Sequence, residues 1–226
     1  MLDRDKHQLV LKQLLREVFS DNELSAQLVF KGGTALMLFH GLKRFSTDLD
    51  FDIRSSAGDI DFARLSKLVA RQLTIRDAAI KENTYLLEGS YGQGMQQIKI
   101  EVSRRTFPQR IALYDFLGMS VPLLSNEYLL AHKLCALTSR KVLQNRDIYD
   151  ADFMLKKNWE PNAEIVLLRT GMSVREYYEV LLRTMDMKTT SSNIMLGLGE
   201  VLDQEERMWA RENLLKSFKE QLLLRV

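Results

Sequence analysis

Between residues 5 and 19 apolar side chains recur at Leu9, Leu14, Leu15 and Val18 with charged residues between them, an irregular but helical period that predicts a first helix. The next apolar stretch, LSAQLVF, runs into Lys31-Gly32-Gly33-Thr34 and then into Ala35-Leu36-Met37-Leu38-Phe39-His40, a run of good helix formers closed by Gly41. This order reads as strand, glycine turn, helix. From residue 47 to 53 the chain alternates: Leu49, Phe51 and Ile53 point one way, Asp48, Asp50 and Asp52 the other. The pattern predicts a strand with one core face and one acidic face.

A helix is expected over 61–72 and a strand over 84–87, ahead of the loop Gly89-Ser90-Tyr91-Gly92-Gln93-Gly94. Alternation returns in Ile98-Lys99-Ile100-Glu101-Val102-Ser103, which places Glu101 on the polar face of its strand. Beyond Ser125, a natural N-cap, the pattern becomes helical over 127–142, 146–155, 174–185 and 200–224. Leu202, Met208, Trp209, Leu215, Phe218 and Leu222 mark the core side of the last helix. The expected fold class is α+β (α/β): a mixed sheet with flanking helices over 1–124, followed by a helical region over 125–226.

Charge and composition narrow the function. The net charge of +2 is the small difference between 32 basic and 30 acidic residues, so any nucleic-acid contact must be local. Arg104-Arg105, Arg110, Arg140-Lys141, Arg146 and Lys156-Lys157 are the clusters available for phosphate neutralisation or for ordinary solubility. One cysteine and three histidines argue against an internal disulfide and a structural zinc site. The N-terminus carries acids without an apolar leader behind it, and no uncharged apolar stretch reaches spanning length, so a cytoplasmic, non-membrane protein is expected.

Two carboxylates at i and i+2 on a strand share a face, with Cα atoms about 6.5–7 Å apart. Asp48 and Asp50 are thereby suited to one hard cation of the kind that neutralises phosphate charge, Mg²⁺ or alternatively Mn²⁺. A third carboxylate is open between Glu101 and Asp52. Gly32-Gly33-Thr34 opens a helix, where free N–H groups and a bare backbone admit a phosphate. Neither a Walker A loop nor GxGxxG is present.

The run FKGGTALMLFHGLKRFSTDLDFD resembles the DNA polymerase β-like nucleotidyltransferases, and more closely the AbiEii/AbiGii toxin family of type IV toxin–antitoxin and abortive-infection systems. NEYLLAHKLCALTSRKVLQNRDIYDADFML is similar to that family's second signature, a lysine-bearing helix followed by an Arg-Asp pair. The resemblance implies a polymerase β-like nucleotidyltransferase sheet. It implies a nucleotide-phosphate turn of Lys31, Gly32 and Gly33, with the Thr34 hydroxyl in place of the usual serine, and metal binding by Asp48 and Asp50. Lys133 and Asp147 follow as further active-site residues, Asp147 either fixing Lys133 or orienting the acceptor hydroxyl. The implied partners are a nucleoside triphosphate, an RNA acceptor (the tRNA 3′ end) and a cognate antitoxin. A protein or small-molecule acceptor, or a non-catalytic nucleotide-binding module, is the alternative. A phosphate on Ser46 or Thr47 would crowd the metal and repel the triphosphate.

Overall fold

The Asp3 carboxylate accepts the Lys6 backbone N–H and starts α1 (Arg4–Ser20), whose buried stripe of Leu11, Leu14, Leu15 and Val18 needs an apolar surface to cover it. That surface is one face of a sheet. The structure, a computed structural model, describes residues 3–190 and 192–226. Met1, Leu2 and Ser191, which fall inside the two expected domains, lie outside the described residues. The chain divides into two compact units, one of residues up to Gly41 with Phe45–Leu124, the other of Leu42–Arg44 with Ser125–Val226.

The sheet unit continues through α2 (Asn22–Gln27), β1 (Leu28–Lys31), α3 (Gly32–His40), β2 (Leu49–Ile53), α4 (Phe62–Val69), β3 (Thr74–Lys81), β4 (Thr84–Ser90), β5 (Gln97–Ser103), β6 (Ile111–Phe116) and β7 (Met119–Leu124). Its seven strands lie in the order β3-β4-β5-β2-β1-β7-β6. The sheet is mixed: β2 runs antiparallel to β1 and parallel to β5, and β1 runs parallel to β7. Leu28, Phe30, Leu49, Phe51, Ile98, Ile100 and Val102 share the core with the α1 stripe. Phe51 packs between Phe30 and Phe19, at ring distances of 5.3 and 5.9 Å.

Several elements depart from expectation for local reasons. LSAQLVF is strand only from Leu28 onward. Asp21 accepts the N–H groups of Glu23 and Leu24 and caps a short helix over the residues before it. No separate glycine turn intervenes either, because β1 leads straight into α3 with Gly32 as its first residue. The acidic strand begins at Leu49, one residue after Asp48, and its outer face is uneven: Asp52 is buried while Asp50 is half-buried. β3 lies at the sheet edge with no buried residue, so no alternation announces it. β6, β7 and α7 were likewise not foreseen as separate elements.

The helical unit comprises α5 (Asn126–Ser139), α6 (Asn145–Lys156), α7 (Ala163–Thr170), α8 (Val174–Lys188) and α9 (Gln204–Leu223). A reciprocal capping box between Ser173 and Glu176 opens α8. The core side of α9 is Ala210, Leu214, Phe218 and Leu222 at four-residue spacing, whereas Met208 is exposed. Among the described residues no helix is long and apolar enough to cross a membrane.

Leu14 is fully buried in the sheet-unit core. Leu14→Ala is expected to lower unfolding free energy by about 2–5 kcal/mol, read by urea denaturation, through lost burial and the cavity left behind.

Candidate active site

The register of the sheet brings the polar residues together. Asp50 on β2 stands opposite Lys31 on β1 and Glu101 on β5. Residues paired across neighbouring strands project from the same face. Glu101 is therefore beside Asp50 although 51 positions separate them in a chain that builds two other strands in between.

Gly32 is required twice over. Its φ of +82° lies in the left-handed region, and a Cβ there would come within 2.1 Å of Asp50 Oδ2. The Asp50 carboxylate thus rests against the first residue of α3, at the positive end of the helix dipole. The N-cap residue Lys31 supplies no side-chain cap. Gly33 and Thr34 are buried in the first turn. The Thr34 hydroxyl donates to the Asp48 backbone carbonyl, so it acts on the acid segment and is turned away from solvent.

The remaining charges sort by partner. Lys31 Nζ lies 2.5 Å from Asp52 Oδ1, a pairing that engages both. Lys99, two residues before Glu101 on the same face, lies 3.3 Å from its carboxylate. Burial works against the Lys99 ammonium, but Glu101, Asp48 and Asp50 outweigh it and raise its pKa above the ordinary lysine value. Sequence reasoning missed Lys99; its signal is the two-residue spacing from Glu101 on an alternating strand.

Among the described residues no group of three or more His, Cys, Asp or Glu side chains is gathered closely enough to hold a metal ion alone. Mg²⁺ ordinarily takes one or two protein carboxylates and completes its shell with water and substrate phosphate oxygens. The hard oxygen donors of Asp48 and Asp50, the latter seated in the space a Gly32 side chain would fill, fit an ion of that kind. Ser46, by contrast, is buried, so modification there requires the segment to open first.

A second charged group is built inside the helical unit. Lys133 on α5 places Nζ 2.8 Å from Asp147 Oδ1 and 2.8 Å from Asp150 Oδ2, both carboxylates coming from one face of α6 at i and i+3. Arg44 grips Asp150 through two hydrogen bonds, Nε to Oδ1 at 2.5 Å and Nη2 to Oδ2 at 2.6 Å. Burial pushes the Asp150 carboxyl up, but Arg44 and Lys133 overcome this and hold its pKa down to about 2. Burial likewise opposes the Lys133 charge, and Asp150 and Asp147 outweigh it, so the amine stays charged. Asp147 Oδ2 is buried without a hydrogen bond, its neighbour being Arg140 Nη2 at 3.4 Å. Asp150 and Arg44 were not singled out from the sequence. Asp150 had a signal, three residues after Asp147 on a helix; Arg44 had none, since 106 positions separate it from Asp150.

Of the basic residues considered for phosphate contact, Arg104 donates to the Lys81 carbonyl and lies over the Tyr85 ring. Lys156 pairs with Asp152 and lies over Trp209. Those two are committed to internal partners.

The family described as "Nucleotidyl transferase AbiEii toxin, Type IV TA system" matches residues 13–221. No curated protein matches the chain. Solved structures with a similar fold include JHP933 from Helicobacter pylori, with TM-score 0.59 and 20% identity over 100% of this chain and 96% of that one. MenT4, a nucleotidyltransferase toxin from Mycobacterium tuberculosis, gives TM-score 0.55 and 17% identity over 98% of this chain and 93% of that one. An antigenic nucleotidyltransferase-like protein from Paracoccidioides brasiliensis gives 0.53 and 17% over 86% and 94%. At these identities the likeness is one of fold.

Gly32→Ala is expected to abolish activity and lower the melting temperature, because the new Cβ must displace Asp50; a variant with full activity would contradict the packing. Asp150→Ala leaves Arg44 and Lys133 without their shared counter-charge and is expected to cost about 3–5 kcal/mol in chemical denaturation. The Asp150 pKa is lower folded than unfolded, so its contribution is complete above the ordinary carboxylate range and is lost as pH falls through that range to about 2. Wild type should therefore lose stability across that acid window more steeply than Asp150→Asn.

Proposed function

Because the chain belongs to the AbiEii nucleotidyltransferase toxin family of type IV toxin–antitoxin systems, we propose that it transfers a nucleotide from a nucleoside triphosphate to an RNA acceptor, the 3′ end of a tRNA. A divalent ion, Mg²⁺ or Mn²⁺, is held by Asp48 and Asp50. The observation that carries this is the seating of Asp50 on Gly32 at the start of α3, with Glu101 next to it in register. One short stretch of sheet and helix thereby offers carboxylates for a cation and a helix N-terminus for phosphate. When bound, the ion neutralises triphosphate charge and orients the attacking and leaving oxygens.

The chain's own groups do the rest of the positioning. The first turn of α3, with Gly32 and Gly33 bare of side chains, lets phosphate oxygens approach backbone N–H groups. Thr34 steadies the backbone of Asp48. Glu101 is the third carboxylate in preference to Asp52, because Asp52 is buried against Lys31 whereas Glu101 stands beside Asp50 and remains partly exposed. Lys99 offsets the carboxylate charge when no cation is bound.

Lys133 and Asp147 are further active-site residues in this proposal. Its support is the second family signature together with the buried pairing that keeps Lys133 charged. Asp147 Oδ2 makes no hydrogen bond but is buried beside Arg140, so an acceptor hydroxyl reaches it only by displacing that guanidinium. A tRNA extended past its 3′ end no longer accepts an amino acid, which accounts for toxicity in the cytoplasm and for a cognate antitoxin as partner. The shared fold with MenT4, itself a nucleotidyltransferase toxin, is consistent with this.

Incubation with each labelled nucleoside triphosphate, Mg²⁺ and total tRNA is expected to label RNA. Asp48→Asn and Lys133→Ala should each reduce the signal by at least about a hundredfold. Label on protein or on a small molecule would overturn the RNA acceptor, and triphosphate binding with no transfer of any nucleotide would overturn catalysis.

A further inference from the structure

His7 is completely buried, and no step proposed above uses it. Its Nε2 lies 3.0 Å from the Thr47 carbonyl oxygen and its Nδ1 lies 3.1 Å from the Tyr91 hydroxyl. A carbonyl oxygen only accepts, so Nε2 carries the proton and the Tyr91 O–H donates to Nδ1. Phe45 and Tyr91 meet the imidazole in T-shaped geometry, with ring centroids 5.7 and 5.4 Å away. Burial lowers the His7 pKa, against opposing pulls from the Thr47 carbonyl and Asp48, in keeping with a neutral ring that has a single N–H.

The place where that N–H is aimed matters. Residues 45–48 have no regular structure, and β2 begins only at Leu49. The conformation of Asp48 therefore has to be set by something other than the sheet ladder. The Thr47 carbonyl belongs to the peptide plane before the Asp48 Cα, and the Asp48 carbonyl to the plane after it. Two buried side chains hold these planes: His7 from α1 donates to the first and Thr34 from α3 to the second. Fixing both planes fixes φ and ψ of Asp48, and with them the direction of its Cα–Cβ bond.

We infer that His7 is a positioning residue for Asp48, acting with Thr34 to aim the Asp48 carboxylate at the cation it binds. This rests on the proposal that Asp48 is a metal ligand. A histidine that merely filled the core could be replaced by an apolar side chain of similar size without consequence for the metal.

The test measures Mn²⁺ binding to the intact chain from the electron paramagnetic resonance signal of free Mn²⁺, alongside nucleotide transfer. His7→Leu fills the space without donating, while the side-chain amide of His7→Gln reaches as Nε2–H does. Loss of the one hydrogen bond in His7→Leu is expected to weaken Mn²⁺ binding and lower kcat by about tenfold each, with the acceptor KM unchanged and His7→Gln restoring most of both. Wild-type Mn²⁺ affinity in folded His7→Leu would overturn the inference alone, and so would equal impairment of the two variants. If His7→Leu does not fold, His7→Asn, whose amide reaches only to the Nδ1 position, replaces it. Better Mn²⁺ binding by His7→Gln than by His7→Asn then supports the inference and equal binding overturns it. Absence of Mn²⁺ binding by the wild-type chain would overturn the metal assignment of Asp48 and Asp50, and this inference with it.

Discussion

Three aspartates at alternate positions of a five-residue stretch repel one another, and the surroundings of β2 answer that repulsion acid by acid. Asp52 is buried and receives Lys31. Asp50 lies against the first residue of α3, where the helix dipole favours a negative group, and this packing is possible only because residue 32 has no side chain. Asp48 stands just outside the strand with its backbone held by a buried hydroxyl. Glu101, set beside Asp50 by the parallel pairing of β2 and β5, has Lys99 next to it. Carboxylates gathered this way but not brought into a closed cage suit a cation that arrives with its substrate, since the substrate's phosphate oxygens then finish the coordination.

The helical unit treats charge differently. Arg44, Lys133, Asp147 and Asp150 form two positive and two negative groups that are largely buried. Buried ion pairs add little net stability compared with apolar packing, because desolvation offsets most of the attraction. Their physical effect here is to keep Lys133 charged in an environment that would otherwise favour the neutral amine, and to hold its ammonium in one place. Asp150 does this by accepting from Arg44 through both carboxylate oxygens while its Oδ2 also faces Lys133.

What the sequence revealed follows from where one face is buried and the other is not. β2 and β5 were legible because Leu49 and Phe51, and Ile98, Ile100 and Val102, alternate with polar residues over a real core face. β3 was not, since an exposed edge strand imposes no alternation, and α2 was hidden because its six residues are shorter than a helical period can be read over. Among the candidate residues, Asp48 and Asp50 carried a local signal in their alternate spacing, whereas Lys133 followed only from the family resemblance. Glu101 could be placed on a polar face, yet its position beside Asp50 depends on a parallel register that no local pattern encodes. Thr34 was expected to face phosphate and instead bonds the Asp48 carbonyl, a contact created only when α3 folds against β2. Arg44 was invisible for the same reason, its partner lying 106 positions away.

The proposed activity requires Asp48 and Asp50 to hold the cation together. The most direct measurement is a crystal structure with Mn²⁺ and a non-hydrolysable nucleoside triphosphate, located by anomalous scattering at the manganese edge. The expected result is a peak bonded to Asp48 and Asp50 and to phosphate oxygens, with the triphosphate at the N-terminus of α3. A nucleotide bound with its manganese away from both aspartates would contradict the account.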